Sequence, residues 1–245
     1  MKNTDSTLIY DNSFSGFLSA VYIAFKEDLS VSEIHPRENV QNLLFSDAVD
    51  IRTEKRAARR IWQAIQKRNY EAAKTIYFAY LSESKGIELL LYNYIRSILS
   101  NDNDTTVYID AASLKKIRLM AGLVSREKKR MENQVLLQQA YPDLQLAYIE
   151  PDFNVLPLIT KYFKSSQNIQ PWIIYDRRRK YGIYYDGRVK HIITSDLLKT
   201  LLTQKHLAES PAYTLNPGSE ASQSNHALGR EIRKKHSYPD TISAA

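Results

Sequence analysis

Apolar positions in the first hundred residues recur at three- and four-residue spacing, the period of helices with one buried stripe. Thr7–Tyr10 comes first and reads as a short strand, closed by Asp11-Asn12-Ser13. Ser13 is placed to cap a helix over 14–27 with Phe14, Phe17, Leu18, Val21, Tyr22 and Phe25 on one stripe. Residues 28–51 are mixed, with a strand expected around Asn42–Phe45. Three helices follow. One begins after Thr53 and buries Ala57, Ala58, Ile61, Trp62 and Ile65. The next begins after Asn69 and carries Ala73, Ile76, Tyr77, Tyr80 and Leu81, and the third begins after Ser84 and carries Ile87, Leu90, Leu91, Tyr94, Ile95 and Ile98. Asn101–Asp104 reads as a loop, Asp110 as the cap of a helix to about Leu123, and 125–132 as a further short helix.

The period then shortens. Val135–Gln139 and Leu144–Ile149, around Tyr141-Pro142-Asp143, look like a hairpin, with 133–140 helical by propensity as the alternative. Residues 153–164 make a helix, Trp172–Asp176 and Tyr181–Asp186 two strands around an Arg-rich turn, and Val189–Thr194 a third. Helices followed by strands predict an α+β fold. The expected architecture is a helical N-terminal half packed with a small, mostly antiparallel sheet from the C-terminal half, plus the N-terminal strand. One domain is expected over 1–205. Residues 206–245, rich in Ser, Pro, Asn and His, read as a disordered tail.

Composition sharpens this picture in two places. The 245 residues include no cysteine, which excludes disulfides, thiolate metal sites and a cysteine nucleophile, and leaves the chain unable to hold an iron–sulfur cluster of its own. The net charge of +7 is also unevenly spread. Residues 52–68 hold seven bases against one acid; 115–132 hold seven against two; 177–190 hold six against one. Outside these segments the chain is net negative, so anionic partners are expected at the clusters. The apolar run Phe14–Phe25 is too short to span a bilayer and has no basic leader, so no membrane association and a cytoplasmic location are expected.

Most catalytic signatures are absent. Gly182 and Gly187 have phosphate-loop spacing without the Lys and Ser or Thr such a loop needs. The five histidines form no His-x-x-x-His pair, and no Gly-x-Ser-x-Gly occurs. No metal site or cofactor is expected. Three carboxylates remain as candidates for acid–base or metal chemistry. Asp152 either caps the following helix or serves catalysis. Asp176 and Asp186 end successive strands and are either a carboxylate pair or turn residues paired with bases. The candidate phosphate contacts are Lys55, Arg56, Arg59 and Arg60; Arg126, Lys128, Lys129 and Arg130; and Arg177, Arg178, Arg179 and Lys180. Tyr175, Tyr181, Tyr184 and Tyr185 interleave with the last group as aromatics do in single-strand binders.

Four stretches carry a family likeness in order and spacing: Tyr10–Leu18, Ile76–Glu83, Ile149–Leu158 and Trp172–Gly182. Together, over about residues 8–197, they resemble a bacterial DNA-metabolism protein family. Its members pair with a radical SAM protein and are often fused to a uracil-DNA glycosylase-like domain. The resemblance implies a role in DNA repair or modification and a radical SAM partner; it implies no catalytic residue. This chain departs from the family at Lys129, where a His is usual, and at Asn133–Gln138, where an aromatic–basic strand is usual. It also departs in Leu207–Ala245, which lacks the family's Trp- and Arg-rich ending, and no glycosylase domain is expected there. The leading expectation is a DNA repair or modification accessory protein that binds nucleic acid through its basic faces. The alternatives are a docking partner of a radical SAM enzyme without direct DNA contact, and a metal-assisted hydrolase acting on DNA.

Overall fold

The structure is a computed structural model that describes residues 6–39, 48–100, 109–165 and 170–208. The strand expected at Asn42–Phe45 and the loop at Asn101–Asp104 lie outside the described residues, as does the expected tail from residue 209 on; its first residues, 206–208, are not tail but the end of a helix, Ser195–Ala208. The fold is α+β. The described residues form two compact units, one up to Arg126 and one from Glu127, each taken in turn.

The first unit opens with β1 (Ser6–Tyr10), α1 (Phe14–Lys26), β2 (Val31–Pro36), a 3₁₀ turn (Arg37–Asn39) and β3 (Ala48–Asp50). Helices α2 (Lys55–Arg68), α3 (Tyr70–Tyr80), α4 (Ile87–Leu99) and the start of α5 (Ala111–Gln134) follow. Strand β1 does not join the C-terminal sheet. It is the middle strand of an all-parallel sheet, with Leu8 opposite Ile34 of β2 and Val49 of β3. Helix α1 starts where expected: Ser13 accepts a hydrogen bond from the Gly16 N–H at 2.9 Å. Its apolar stripe meets α2 and α3 through rings, with the Phe14 centroid 5.2 Å from Trp62, 4.9 Å from Tyr77 and 5.0 Å from Tyr80. Such ring pairs add about 0.5–1.5 kcal/mol beyond area burial.

The family-like stretch Tyr10–Leu18 has a physical explanation in this unit. Asp11 Oδ1 accepts from both the N–H and the hydroxyl of Ser13, at 3.1 and 2.6 Å, and Oδ2 accepts from the Thr53 hydroxyl at 2.7 Å. The carboxylate lies so close to the first turn of α1 that a Cβ on residue 16 would stand 2.1 Å from Oδ1, so only glycine fits there.

One sequence expectation is corrected at α5. The two helices expected on either side of Leu123–Ser125 are one, Ala111–Gln134. Buried Ile117, Val124 and Met131 stand seven apart and keep the helical period across Val124, where the two expected helices meet.

The second unit takes the end of α5, β4 (Gln138–Tyr141), β5 (Leu144–Ile149), α6 (Leu156–Ser165), β6 (Trp172–Asp176), β7 (Tyr181–Tyr185), β8 (Lys190–Thr194) and α7 (Ser195–Ala208). The five strands lie in chain order in one sheet, antiparallel throughout except for β5–β6. That parallel pair is joined through α6, a single βαβ unit in a meander. Strand β6 is buried along its whole length, as expected for a central strand covered on both faces. On one face Ile173, Tyr175 and Ile193 pack with Leu198 and Leu201 of α7. Gly182 is required in β7 because a Cβ there would meet the Tyr175 ring at 2.8 Å and the Ile174 carbonyl at 2.9 Å.

Candidate nucleic-acid interface

The three basic clusters differ once their partners are known. On α2, burial of Ala57, Ala58, Ile61, Trp62 and Ile65 against the first unit turns Lys55, Arg56, Arg59 and Arg60 outward, all exposed. None of the four has an ion-pair partner among the described residues. Lys67 on the last turn extends the same exposed face, so cations span roughly 18 Å of helix axis. The first turn of α2 carries no acid, and Glu54 before it makes no side-chain cap. Lys55 and Arg56 therefore sit at the positive end of the helix dipole, where an anion is favoured.

Of the candidate contacts in the second unit, Lys128, Arg130, Arg177, Arg178 and Arg179 have acidic partners. Arg130 grips Glu127 with two bonds, at 2.7 and 2.5 Å, and Lys128 pairs with Glu132 at 2.8 Å. Arg130 holds the buried Glu127 carboxyl below its usual range, its hydrogen bond outweighing burial. The same carboxylate accepts the Asp152 N–H at 3.0 Å. In the β6–β7 turn, Arg179 bonds the fully buried Asp176 through its own N–H and its guanidinium, both at 3.0 Å. It also donates to the carbonyls of Pro151 and Asp152, both at 3.1 Å. Arg177 lies 3.7 Å from Glu150 and Arg178 3.7 Å from Asp152. Lys129 and Lys180, and Arg126 at the end of the first unit, are exposed and stand in no ion pair among the described residues.

The candidate carboxylates do not converge as a set. Asp176 faces Tyr181 across the ladder at one end of the β6–β7 pair, whereas Asp186 follows Tyr185, opposite Trp172, at the other. Five-residue strands at ~3.4 Å per residue put roughly 15 Å between those ends. Successive antiparallel strands end on opposite edges of the sheet, so adjacency in sequence did not mean adjacency in space. Asp186 is consumed by its own turn. It accepts the N–H groups of Arg188 and Val189 at 2.8 and 2.6 Å and lies 3.0 Å from His191 Nε2. Burial works against its charge, but these bonds prevail and its pKa is lowered. Asp152 does not cap α6, which begins four residues later; its exposed carboxylate stands 3.7 Å from Arg178 and 4.0 Å from Arg130. Among the described residues no group of three or more His, Asp or Glu is placed to hold a metal ion.

The aromatic expectation is also revised. Tyr175 and Tyr185 are buried, Tyr181 and Tyr184 half-buried. Tyr181 donates to Asn154 at 2.5 Å, Tyr185 to the Gly187 carbonyl at 2.8 Å, and Tyr175 shares a 2.6 Å bond with Ser195. The exposed ring beside the turn is Tyr148 on β5, with the Arg177 guanidinium 4.2 Å from its centroid. Cross-strand register brings the two together over a gap of 29 positions, which no local pattern signals.

Sequence reasoning missed a further feature. At the carboxyl ends of the parallel strands lies a cavity of about 510 Å³ lined by Asp11, Asn12, Arg37, Glu38, Ile51, Arg52 and Thr53. It went unseen because β2 and β3 are short and unpatterned.

Fold and interface together define an α+β protein with a cationic helix face in its first unit and a self-neutralised, Arg-rich sheet edge in its second. The chain matches the domain of unknown function DUF4130 over residues 85–233 and belongs to that family. The match begins just before α4, so it leaves out the parallel sheet and the cationic face of α2. No curated protein matches. Among solved structures the chain is similar to a pGpG-specific phosphodiesterase, PggH, from Vibrio cholerae. The identity is 12%, over 83% of this chain and 99% of that one, with a TM-score of 0.36. A superposition that loose carries no functional argument.

Proposed function

We propose that the protein binds nucleic acid, with α2 as the principal contact, and acts as an accessory protein in DNA repair or modification in the cytoplasm. The observation that supports this reading is the run Lys55, Arg56, Arg59 and Arg60, exposed on one helix with no ion-pair partner among the described residues. Unpaired cations at one-turn spacing are suited to phosphates, whose contact releases condensed counterions. Arg126, Lys129 and Lys180 are secondary contacts. The repair or modification role comes from the resemblance over residues 8–197.

The test is a salt titration of duplex and single-stranded oligonucleotide binding, read by fluorescence anisotropy. Changing Lys55, Arg56, Arg59 and Arg60 together to Gln flattens the slope of log affinity against log salt by about 0.9 for each duplex phosphate contact removed. An unchanged slope, or no binding by the parent chain at low salt, overturns the reading. The same face also suits an acidic protein surface, and the resemblance names a radical SAM enzyme as such a partner. Co-purification of the two that survives nuclease treatment favours that docking reading.

A further inference from the structure

We infer that the cavity at the carboxyl edge of the parallel sheet binds a nucleoside monophosphate unit, its phosphate on Arg52 and its sugar hydroxyls on Glu38. The inference deepens the nucleic-acid reading and rests on it for the class of ligand. The chain leaves β1 through α1 to reach β2 on one side and then crosses to β3 on the other, giving the order β2-β1-β3. Connections that diverge from the carboxyl end of a central parallel strand open a crevice there, the place where open α/β sheets take their ligands. All seven lining residues come from segments that follow the three strands: Asp11 and Asn12 after β1, Arg37 and Glu38 after β2, Ile51 to Thr53 after β3. A volume of about 510 Å³ is within the usual range for small-molecule sites.

Several of the lining groups are already engaged. Both oxygens of Asp11 are used by Ser13 and Thr53, and Arg37 is paired with Asp50. The amino end of α1 is already filled by the Ser13 hydroxyl and the Asp11 carboxylate, so a phosphate does not bind on that helix. What remains is one exposed cation and one exposed acid. Arg52 has no ion-pair partner among the described residues, and Glu38 makes one bond, accepting from Asn12 Nδ2 at 3.1 Å. Glu38 follows the end of β2, beside β1, where nucleotide-binding sheets carry the acid that takes ribose hydroxyls. Arg52 also opens the cation series that continues onto α2, so a strand whose phosphates lie along α2 is led toward the crevice.

The probes are AMP and inorganic phosphate, titrated into the full chain by calorimetry. AMP binds at millimolar concentration or below and inorganic phosphate more weakly. Arg52→Gln lowers AMP affinity about tenfold or more, the usual loss for a hydrogen bond between charged groups. Glu38→Gln weakens AMP and leaves inorganic phosphate unchanged. Both residues are exposed, and an unaltered melting temperature shows that the variants fold. Competition tells the two sources of the ligand apart. A linear single strand displaces AMP where a circular one of equal length does not if the unit is a strand end; neither displaces it if the ligand is a free nucleotide. Absence of AMP binding, or binding unaffected by Arg52→Gln, overturns the inference. Duplex binding with no AMP binding removes the crevice alone, whereas AMP binding with no oligonucleotide binding removes the α2 interface alone.

Discussion

Two stretches of this chain look alike as sequence and differ as physical objects. Lys55–Arg60 and Arg177–Lys180 each carry four bases. On α2 all four project from a helix whose other face is buried, and no carboxylate answers them among the described residues. In the β6–β7 turn three of the four are answered, by Asp176, Asp152 and Glu150. Charge density alone does not separate a binding face from a structural clasp. The difference is whether the fold returns acids to the same place. A helix face gathers only residues from its own few turns, whereas a sheet edge gathers the ends of several strands, and here those ends carry acids.

The strongest way to break the comparison is to remove the clasp. Arg179→Met leaves the Asp176 carboxylate, fully buried, without its guanidinium, and frees the Pro151 and Asp152 carbonyls. Breaking a buried pair from one side costs about 3–5 kcal/mol. Urea unfolding is expected to show a loss of that order. The double variant Asp176→Asn with Arg179→Met recovers part of it, because the uncompensated charge is gone. A loss near that of an ordinary surface substitution refutes the reading of this turn as a clasp.

A smaller effect sharpens the contrast through pH. Glu127 is held below its usual range, first by the Arg130 hydrogen bond. Its stabilisation is present above the unfolded carboxylate pKa and is lost as pH falls through the lowered folded value. Glu88 on α4, which accepts from the buried Tyr10 hydroxyl at 3.4 Å, is shifted upward, first by burial. Its contribution has the opposite sign: present below the unfolded pKa and lost as pH rises through the raised folded value. Glu127→Gln is expected to cost about 1–3 kcal/mol at neutral pH and to flatten the acid limb of the stability curve. Glu88→Gln is expected to flatten the limb just above the ordinary carboxylate range. Denaturant midpoints across that pH span check both, and an acid limb unchanged in Glu127→Gln refutes the role given to the Arg130 bond.

What was legible in the sequence follows the range over which each feature acts. Helices α1 to α4 and strands β5 to β8 rest on local period and caps, such as Ser13 and the burial of Ile61, Trp62 and Ile65, and they appear where the pattern puts them within a few residues. The parallel partners β2 and β3 were not legible, because Val31–Pro36 has no clean alternation and Ala48–Asp50 is too short to show one. For the same reason the crevice they form with β1 left no signal. The three basic clusters were legible as composition. Their neutralisation was legible only in part: Glu127–Arg130, Lys128–Glu132 and Asp176–Arg179 are pairs three or four positions apart, whereas Glu150 and Asp152 reach Arg177 and Arg178 only through the β5–β6 register. Likewise the Asp176–Asp186 pairing looked natural along the chain and is undone by antiparallel geometry.

The smallest expected effect on stability is the most discriminating, because its sign is unusual. Lys55 and Arg56 occupy the first turn of α2, against the helix dipole, and Glu54 provides no capping bond. Replacing them with acids, Lys55→Glu and Arg56→Glu, stabilises the helix by about 0.3–1 kcal/mol for each position. Those same substitutions put negative charge where phosphate is expected and lower the affinity for nucleic acid steeply at low salt. Stability and binding therefore move in opposite directions in one variant, a trade that residues kept for folding do not show. Thermal melting alongside oligonucleotide anisotropy reads both. A variant that loses stability refutes the dipole argument. One that gains stability and keeps full affinity shows that the cations of α2 serve some purpose other than contact with nucleic acid.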